Sequence, residues 1–274
     1  MNPERLRSAP HIAIVGSSTP VGKELKEMIE DSHFPVGRLT LLETDEYAGL
    51  LQEFAGEIKI TQVLPHDGLN DVDIAFFACS PEIIEAYVAS GSRFPEITID
   101  MTQTGQTGKL IFCEASAPKC MAGPAFYVNP HSASIALARL LKPLHQAFGL
   151  VTVTATILQP ASERGRAGVD ELQEQTISLL NFQSVTASAF GGQIAFNILL
   201  ESAKSQETEA LIRSQLREIV APAPPHFHLA IAQAPVFHSH AVSVFVTLKE
   251  PVARQQFEEA IAAFPGVVVH TDAT

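Results

Sequence analysis

Short apolar runs and helix-length amphipathic segments alternate along the first half of the chain. The apolar run His11 to Val15 ends at Gly16 and is followed by a helical pattern over Lys23 to Asp31. Two further apolar runs, Asp73 to Ser80 and Ile97 to Asp100, predict buried parallel strands. Because helix-length connections separate these strands, the order predicts an α/β sheet that binds ligands at the carboxyl ends of its strands.

The pattern changes near Gly149, where a long alternating run begins. The run Leu150 to Leu158 has the period of a half-buried strand. The remaining predicted elements are helices at Gly168 to Asn181, Glu207 to Val220 and Ala253 to Phe264, and strands at Phe227 to Gln233, Ala241 to Leu248 and Val267 to His270. Such a mixture predicts an α+β domain with an open sheet. We therefore expect two domains, residues 1–128 and 129–274.

Composition and charge narrow the classes of function. The 274 residues are 46% hydrophobic with a net charge of −12, which favours a packed core and argues against a nucleic-acid partner. No apolar stretch is long enough for a signal sequence or a membrane span. Three cysteines in a chain of this length do not make a disulfide framework. We expect a cytoplasmic protein with no membrane partner.

The turn after the first predicted strand carries a partial dinucleotide-binding fingerprint. The spacing from Gly16 to Gly22 fits it, but Thr19 stands where the middle glycine should be. Glu43 ends the second predicted strand, Arg38 to Leu42, where an acidic residue commonly binds the ribose of NAD and repels the extra phosphate of NADP. The alternative is that the glycines serve the turn and its packing, and that Glu43 belongs to a solvated loop.

The segment from Asn129 to Ser134 reads Asn-Pro-His-Ser-Ala-Ser and precedes a helical run, Ile135 to Leu144. Its serine, Ser132, is either a nucleophile or a helix N-cap. Two histidine pairs, His226 with His228 and His238 with His240, each share a strand face, as zinc ligands can. Their spacing matches no common zinc motif, so we expect no metal site and interpret them as solvated or core histidines.

Six segments in order resemble the aspartate-semialdehyde dehydrogenase family along most of the chain, especially its usg-type paralogues. These segments are Ile14 to Gly22, Phe34 to Gly37, Val72 to Ala78, Asn129 to Ser134, Gly191 to Asn197, and Gln233 to Phe237 with His240. The resemblance implies a Rossmann-like doubly wound parallel sheet, then an α+β dimerisation domain of the glyceraldehyde-3-phosphate dehydrogenase-like C-terminal type. It also implies a homodimer through the C-terminal sheet and a C-terminal domain shortened at Thr274.

The resemblance further implies an NAD or NADP site, with NAD favoured by Glu43. Its cofactor-binding residues would be Gly16, Ser18, Thr19, Val21, Gly22 and Glu43.

The family's catalytic residues fall on four positions of this chain. The nucleophilic cysteine falls on Ser132, the acid/base histidine on His240, the thioester-positioning glutamine on Gln159, and the substrate-clamp arginine on Gln233. A serine hydroxyl ionises far less readily than a thiol, and a neutral amide cannot replace a bidentate arginine contact. We therefore expect a homologue without the family's activity.

Two alternatives remain open. One is an NAD(P)-dependent semialdehyde oxidoreductase of altered substrate. The other is a serine hydrolase using Ser132 and His240, which would need an oxyanion hole and an orienting carboxylate that the sequence does not make evident.

Overall fold

The structure, a computed structural model, describes residues 9–65, 69–102, 109–110, 125–200 and 203–270. The chain divides into two compact units, Met1–Pro130 and His131–Thr274. Among the described residues, every helix is too short or too polar to cross a membrane.

A parallel sheet forms the centre of the first unit. The strands of this unit are β1 His11–Val15, β2 Arg38–Glu43, β3 Leu51–Phe54, β4 Glu57–Ile60, β5 Gln62–Val63, β6 Ile74–Phe77, β7 Ile97–Asp100, β8 Lys109–Leu110 and β9 Ala125–Val128. Within the described residues the sheet has seven strands in the order β5-β2-β1-β6-β7-β9-β8, and β3 and β4 form a separate antiparallel hairpin. The chain moves outward from β1 to β2 and then returns to β6 on the other side. This reversal places a topological switch point at the carboxyl ends of β1 and β6.

Helices cover both faces of this sheet, so the fold is doubly wound. The helices are α1 Pro20–Asp31 and α2 Pro81–Ala89. Successive strand residues point to opposite faces, so β1 contributes to two cores. Ile12 and Ile14 pack in one core with Ile29 of α1, and Ala13 and Val15 pack in the other with Ile84 of α2.

The second unit has a mixed sheet with helices against one face. Its elements are α3 Ser132–Phe148, β10 Leu150–Gln159, α4 Gly165–Leu180, β11 Leu199–Leu200, α5 Ala203–Ile219, β12 His226–Gln233, β13 Ala241–Leu248 and α6 Arg254–Ala262. The strand order is β11-β12-β10-β13, with β10 and β12 parallel. Helices α3 and α5 pack against β10 and β12 respectively. Alternate residues of β13 are exposed, which leaves the opposite face of the sheet open.

One predicted element is wrong. Val267 to His270 was expected to be a strand, but these residues form no strand and pair with none of the described strands. Alternation in exposure is present, with Val268 and His270 exposed. Alternation without a hydrogen-bonded neighbour does not make a strand.

Candidate functional site

Four side chains meet at the N-terminus of α3. Ser132 is its first residue, and the Ser132 hydroxyl donates a hydrogen bond to Oε1 of Glu163 at 3.1 Å. Nε2 of His131 lies 3.3 Å from Oε2 of Glu163, and Nε2 of His240 lies 3.2 Å from Oε1. The second of these contacts lacks hydrogen-bond geometry and leaves that buried nitrogen without a bonded partner. One carboxylate therefore holds two imidazoles and a hydroxyl together.

Backbone hydrogen bonds between two loops place Glu163 beside His240. Glu163 belongs to a short 3-10 turn, Ala161–Arg164, that directly follows β10. The N–H groups of Ala161 and Ser162 donate to the carbonyl oxygens of Val236 and Phe237, in the loop after β12. This loop leads into His240, so the parallel pairing of β10 with β12 determines the site.

The proton positions on His131 follow from its role as the N-cap of α3. Its Nδ1 accepts the N–H of Ala133 at 3.1 Å, so Nδ1 carries a lone pair and the proton of the neutral ring is on Nε2. That N–H faces Glu163. The His131 backbone N–H donates to Oε1 of Gln215 at 2.9 Å, and the side chain is only 2% exposed. The imidazole is therefore fixed as a donor to the carboxylate.

Glu163 is charged in this site. Burial alone would raise its pKa, but the contacts with the imidazoles of His131 and His240 outweigh burial and hold the pKa well below its usual value. The N-terminus of α3 adds a favourable partial positive charge. The Glu163 side chain is 23% exposed, so the carboxylate lies at the edge of solvent.

His131, Glu163 and His240 also have the residue types of a metal site. One potential ligand atom from each lies within 4.8 Å of the others. The N-cap argues against a metal there, because a metal bound at Nε2 of His131 would require the proton to move to Nδ1, against the Ala133 N–H. Among the described residues, His226, His228 and His238 join no comparable group.

Gln159 and Gln233 lie side by side at the ends of β10 and β12. They are paired in register, both are buried, and Nε2 of Gln233 donates to the carbonyl oxygen of Gln159 at 2.9 Å. The pair is neutral. The charge near this pair is carried by Glu163, a residue to which the sequence analysis assigned no role.

The β1–α1 loop contains the glycines of the partial fingerprint. Gly16 has φ +85°, and a Cβ there would lie 2.6 Å from the carbonyl oxygen of Ala78. A Cβ at Gly22 would collide with the carbonyl oxygen of Gly16, so α1 approaches the loop closely. Thr19, at the position of the middle glycine, is the N-cap of α1 and accepts the N–H of Gly22 at 3.0 Å. The tight turn and the close packing are enough to explain both glycines, without a bound nucleotide.

Glu43 ends β2 beside this loop and is only 6% exposed. Its Oε1 accepts hydrogen bonds from the Ser17 hydroxyl at 2.9 Å and from the Ser18 N–H. The alternative that Glu43 belongs to a solvated loop is therefore wrong. Its carboxylate instead organises the loop at the switch point.

A cavity of about 290 Å³ lies between the ends of β2 and β5 and helix α2. Its wall is mainly apolar, and three acidic residues, Glu43, Asp45 and Glu82, are among those that line it. Ile83 and Tyr87 supply part of the apolar surface.

Cys79 lies just beyond the end of β6. Burial, with smaller contributions from the Asp100 and Glu43 carboxylates, raises the pKa of its thiol to about 12. A thiol that remains protonated is a poor nucleophile. Cys113 and Cys120 lie outside the described residues.

Both units match domains of one known protein family. The family description "Semialdehyde dehydrogenase, NAD binding domain" matches residues 11–105, and "Semialdehyde dehydrogenase, dimerisation domain" matches residues 141–274. The chain belongs to the semialdehyde dehydrogenase family. The family resemblance and the expected fold, a Rossmann-like parallel sheet followed by the dimerisation domain, are thereby confirmed.

Individual members of the family are similar over nearly the whole chain. Aspartate-semialdehyde dehydrogenase of Rickettsia conorii is 28% identical over 270 residues, covering 94% of this chain and 79% of the relative. The USG-1 protein homolog of Pseudomonas aeruginosa is 27% identical over 271 residues, with the same coverage. The structure of a probable aspartate-semialdehyde dehydrogenase from Pseudomonas aeruginosa superposes with a TM-score of 0.82 at 26% identity, covering 94% of this chain and 80% of that one.

Sequence reasoning missed the contribution of two residues to the site. His131 was noted only as part of a motif, and the N-cap alternative was placed on Ser132, which is wrong. His131 is the N-cap although Ser, Thr, Asp, Asn and Gly are preferred there, so its residue type carried no signal. Glu163 had no local signal, because the contact between its turn and His240 depends on the pairing of distant strands.

Proposed function

We propose that this protein is a semialdehyde dehydrogenase homologue that acts by binding, without thiol-dependent oxidation of an aldehyde. The observation that carries the proposal is the hydrogen bond from Ser132 to Glu163. The hydroxyl at the position of the family's nucleophile is weakly acidic, and a charged carboxylate holds its proton. Cys79 is a poor substitute because its pKa is raised to about 12. Loss of a nucleophile typically costs several orders of magnitude in rate.

The test compares NAD and NADP reduction by wild type, Ser132→Ala and Ser132→Cys, with aspartate semialdehyde and phosphate. We expect background rates from wild type and from Ser132→Ala. Ser214→Ala, which replaces an exposed serine of α5, is the matched control for effects of mutagenesis and purification. Oxidation of aspartate semialdehyde by the wild type at a rate that Ser132→Ala abolishes would overturn the proposal.

We further propose that the first unit binds NAD in preference to NADP. The glycine turn, the N-terminus of α1 and the adjacent cavity support dinucleotide binding. The three carboxylates that line the cavity disfavour the additional phosphate of NADP. Calorimetric titration of the wild type should give micromolar binding of NAD and weaker binding of NADP, and Glu43→Gln should narrow the difference. Equal affinity for both nucleotides in the wild type would contradict this preference.

The serine hydrolase remains a second candidate because Glu163 supplies a carboxylate that contacts both Ser132 and His240. Two features weaken it. Ser132 donates to the carboxylate and not to an imidazole, and the N–H of Ala133, which would stabilise an oxyanion, is bonded to His131. Labelling of wild type by a fluorophosphonate probe, absent in Ser132→Ala, would favour the hydrolase.

The altered-substrate oxidoreductase would require another nucleophile. Reduction of NAD by a panel of aldehydes, retained in Ser132→Ala, would favour it.

A further inference from the structure

Every polar group around the Glu163 carboxylate is arranged as a receptor for an anion. The Ser132 hydroxyl donates to Oε1, His131 Nε2 lies 3.3 Å from Oε2, and His240 Nε2 lies 3.2 Å from Oε1. The N-terminus of α3, a helix of 17 residues, lies behind these groups. No Lys or Arg forms an ion pair with Glu163 among the described residues. Three side chains therefore contact one carboxylate.

We propose that this corner is a binding site for a small carboxylate, and that Glu163 of the same chain occupies it as an internal ligand. A ligand carboxylate would bind by displacing the Glu163 side chain. The proposed site lies within the second unit, and its test requires neither a nucleotide nor catalytic turnover. A failure of this proposal is therefore distinguishable from a failure of the proposed function.

The receptor is built independently of its occupant. The His131 ring is held by the Ala133 N–H, and the His131 backbone is held by Gln215, whether or not Glu163 is present. His131 is almost fully buried, at 2% exposed. Removal of the carboxylate would leave the buried Nε2–H group without an acceptor, which is costly. Without the Glu163 carboxylate, the site therefore still favours the binding of an anion.

The occupant is able to leave. The backbone of its turn is anchored through Ala161 and Ser162, so the carboxylate can move by side-chain rotation alone. Its partial exposure of 23% gives solvent and solutes a path to the same donors. Gly165, with φ +65°, follows the turn and gives the backbone a conformation open mainly to glycine.

The experiment measures thermal unfolding of Glu163→Ala in sodium formate and sodium acetate, with sodium chloride at equal ionic strength as the reference. We expect the variant to unfold at a lower temperature than wild type and to regain stability saturably with either carboxylate, but not with chloride. The dissociation constant should be no tighter than about 0.5 mM for formate and about 40 μM for acetate, the limits for ligands of three and four heavy atoms. Adding Ser132→Ala to the variant should weaken binding about tenfold, because a charge-assisted hydrogen bond is lost.

Two controls separate site binding from general salt effects. Glu163→Gln, in which a neutral amide fills the site, should show no saturable response. Wild type should respond only at higher carboxylate concentrations than Glu163→Ala, because the ligand must first displace the Glu163 side chain. The same response in Glu163→Gln as in Glu163→Ala, or no carboxylate-specific response in Glu163→Ala, would overturn the proposal.

Two further arms complete the test. If Glu163→Ala does not fold, refolding in acetate against chloride replaces the titration; recovery in acetate alone supports the site, and recovery in neither overturns it. Stoichiometric stabilisation of the wild type by Zn²⁺, lost in Glu163→Gln, would also overturn it in favour of a metal centre.

Discussion

Glu171 of α4 accepts hydrogen bonds from the Ser188 hydroxyl at 2.8 Å and from the backbone N–H groups of Ala189 and Phe190. One turn later, Oε1 of Gln175 accepts the N–H groups of Ile194 and Ala195. These two side chains satisfy the backbone of the loop that follows α4. Burial would raise the Glu171 pKa, but the hydrogen bonds outweigh it and lower the pKa. A loop without regular structure is thus tied to a helix by charge and amide groups.

Replacing Glu171 by alanine should destabilise the protein by about 1–3 kcal/mol, because buried N–H groups lose a charged acceptor. Urea unfolding at neutral pH measures the change. Glu174→Ala, an exposed glutamate on the same helix, should change the free energy of unfolding by less than about 0.5 kcal/mol. Equal effects of the two substitutions would show that the hydrogen bonds of Glu171 add nothing to stability.

The low pKa of Glu163 predicts an acid-dependent loss of stability. Its folded-state pKa lies below the unfolded value of about 4.3, so its contribution is fully present above that value. The contribution is lost as the pH falls from there through the folded pKa. The difference in stability between wild type and Glu163→Gln should therefore shrink as the pH falls from about 5 toward about 3. Urea midpoints across this range test the prediction, and a difference that does not change with pH would contradict it.

At the scale of elements, the contact between α1 and the β1–α1 loop depends on the absence of a side chain at Gly22. Gly22→Ala would force the helix away from the loop and should cost about 1–3 kcal/mol. Lys23→Ala, exposed at the next position, is the matched control and should be nearly neutral. Unfolding free energies of both variants measure the difference, and a stable Gly22→Ala would mean that the loop can yield.

The sequence predicts those elements whose residues are contiguous and follow a clear hydrophobic or turn pattern. The run His11–Val15 and the glycine turn after it are contiguous, and their pattern indicates β1 and α1 directly. The hairpin β3–β4 gave no such signal, because its apolar residues Leu51, Ile58 and Ile60 are exposed. The contact of Glu163 with His240 depends on two loops that meet only after β10 has paired with β12. Pairing between distant strands has no local pattern.

At the scale of the whole molecule, we expect the open face of the second sheet to pack against a second copy of the chain. Phe245 of β13 is 72% exposed and pairs in register with Thr154 of β10, which pairs with His228 of β12. All three residues are exposed. Together with the match to a dimerisation domain, this row favours a homodimer through the sheet.

Phe245→Asp should shift the protein from dimer to monomer, because two copies of the charge would be buried in a symmetric interface. Sedimentation velocity at micromolar concentration measures the mass. Leu51→Asp is the matched control, since Leu51 is also exposed and apolar but belongs to the hairpin of the first unit. If the dimer persists in Phe245→Asp but dissociates in Leu51→Asp, the interface lies in the first unit and the prediction is wrong.

The parallel pairing of β10 with β12 also has a consequence for synthesis on the ribosome. The side chain of Gln233 bonds to Gln159, 74 residues earlier in the chain. At about 5–20 residues per second, β10 emerges roughly 4–15 seconds before its parallel partner. During that interval its apolar residues have no completed sheet to join, so chaperones that bind nascent chains have a defined segment and a defined time in which to act.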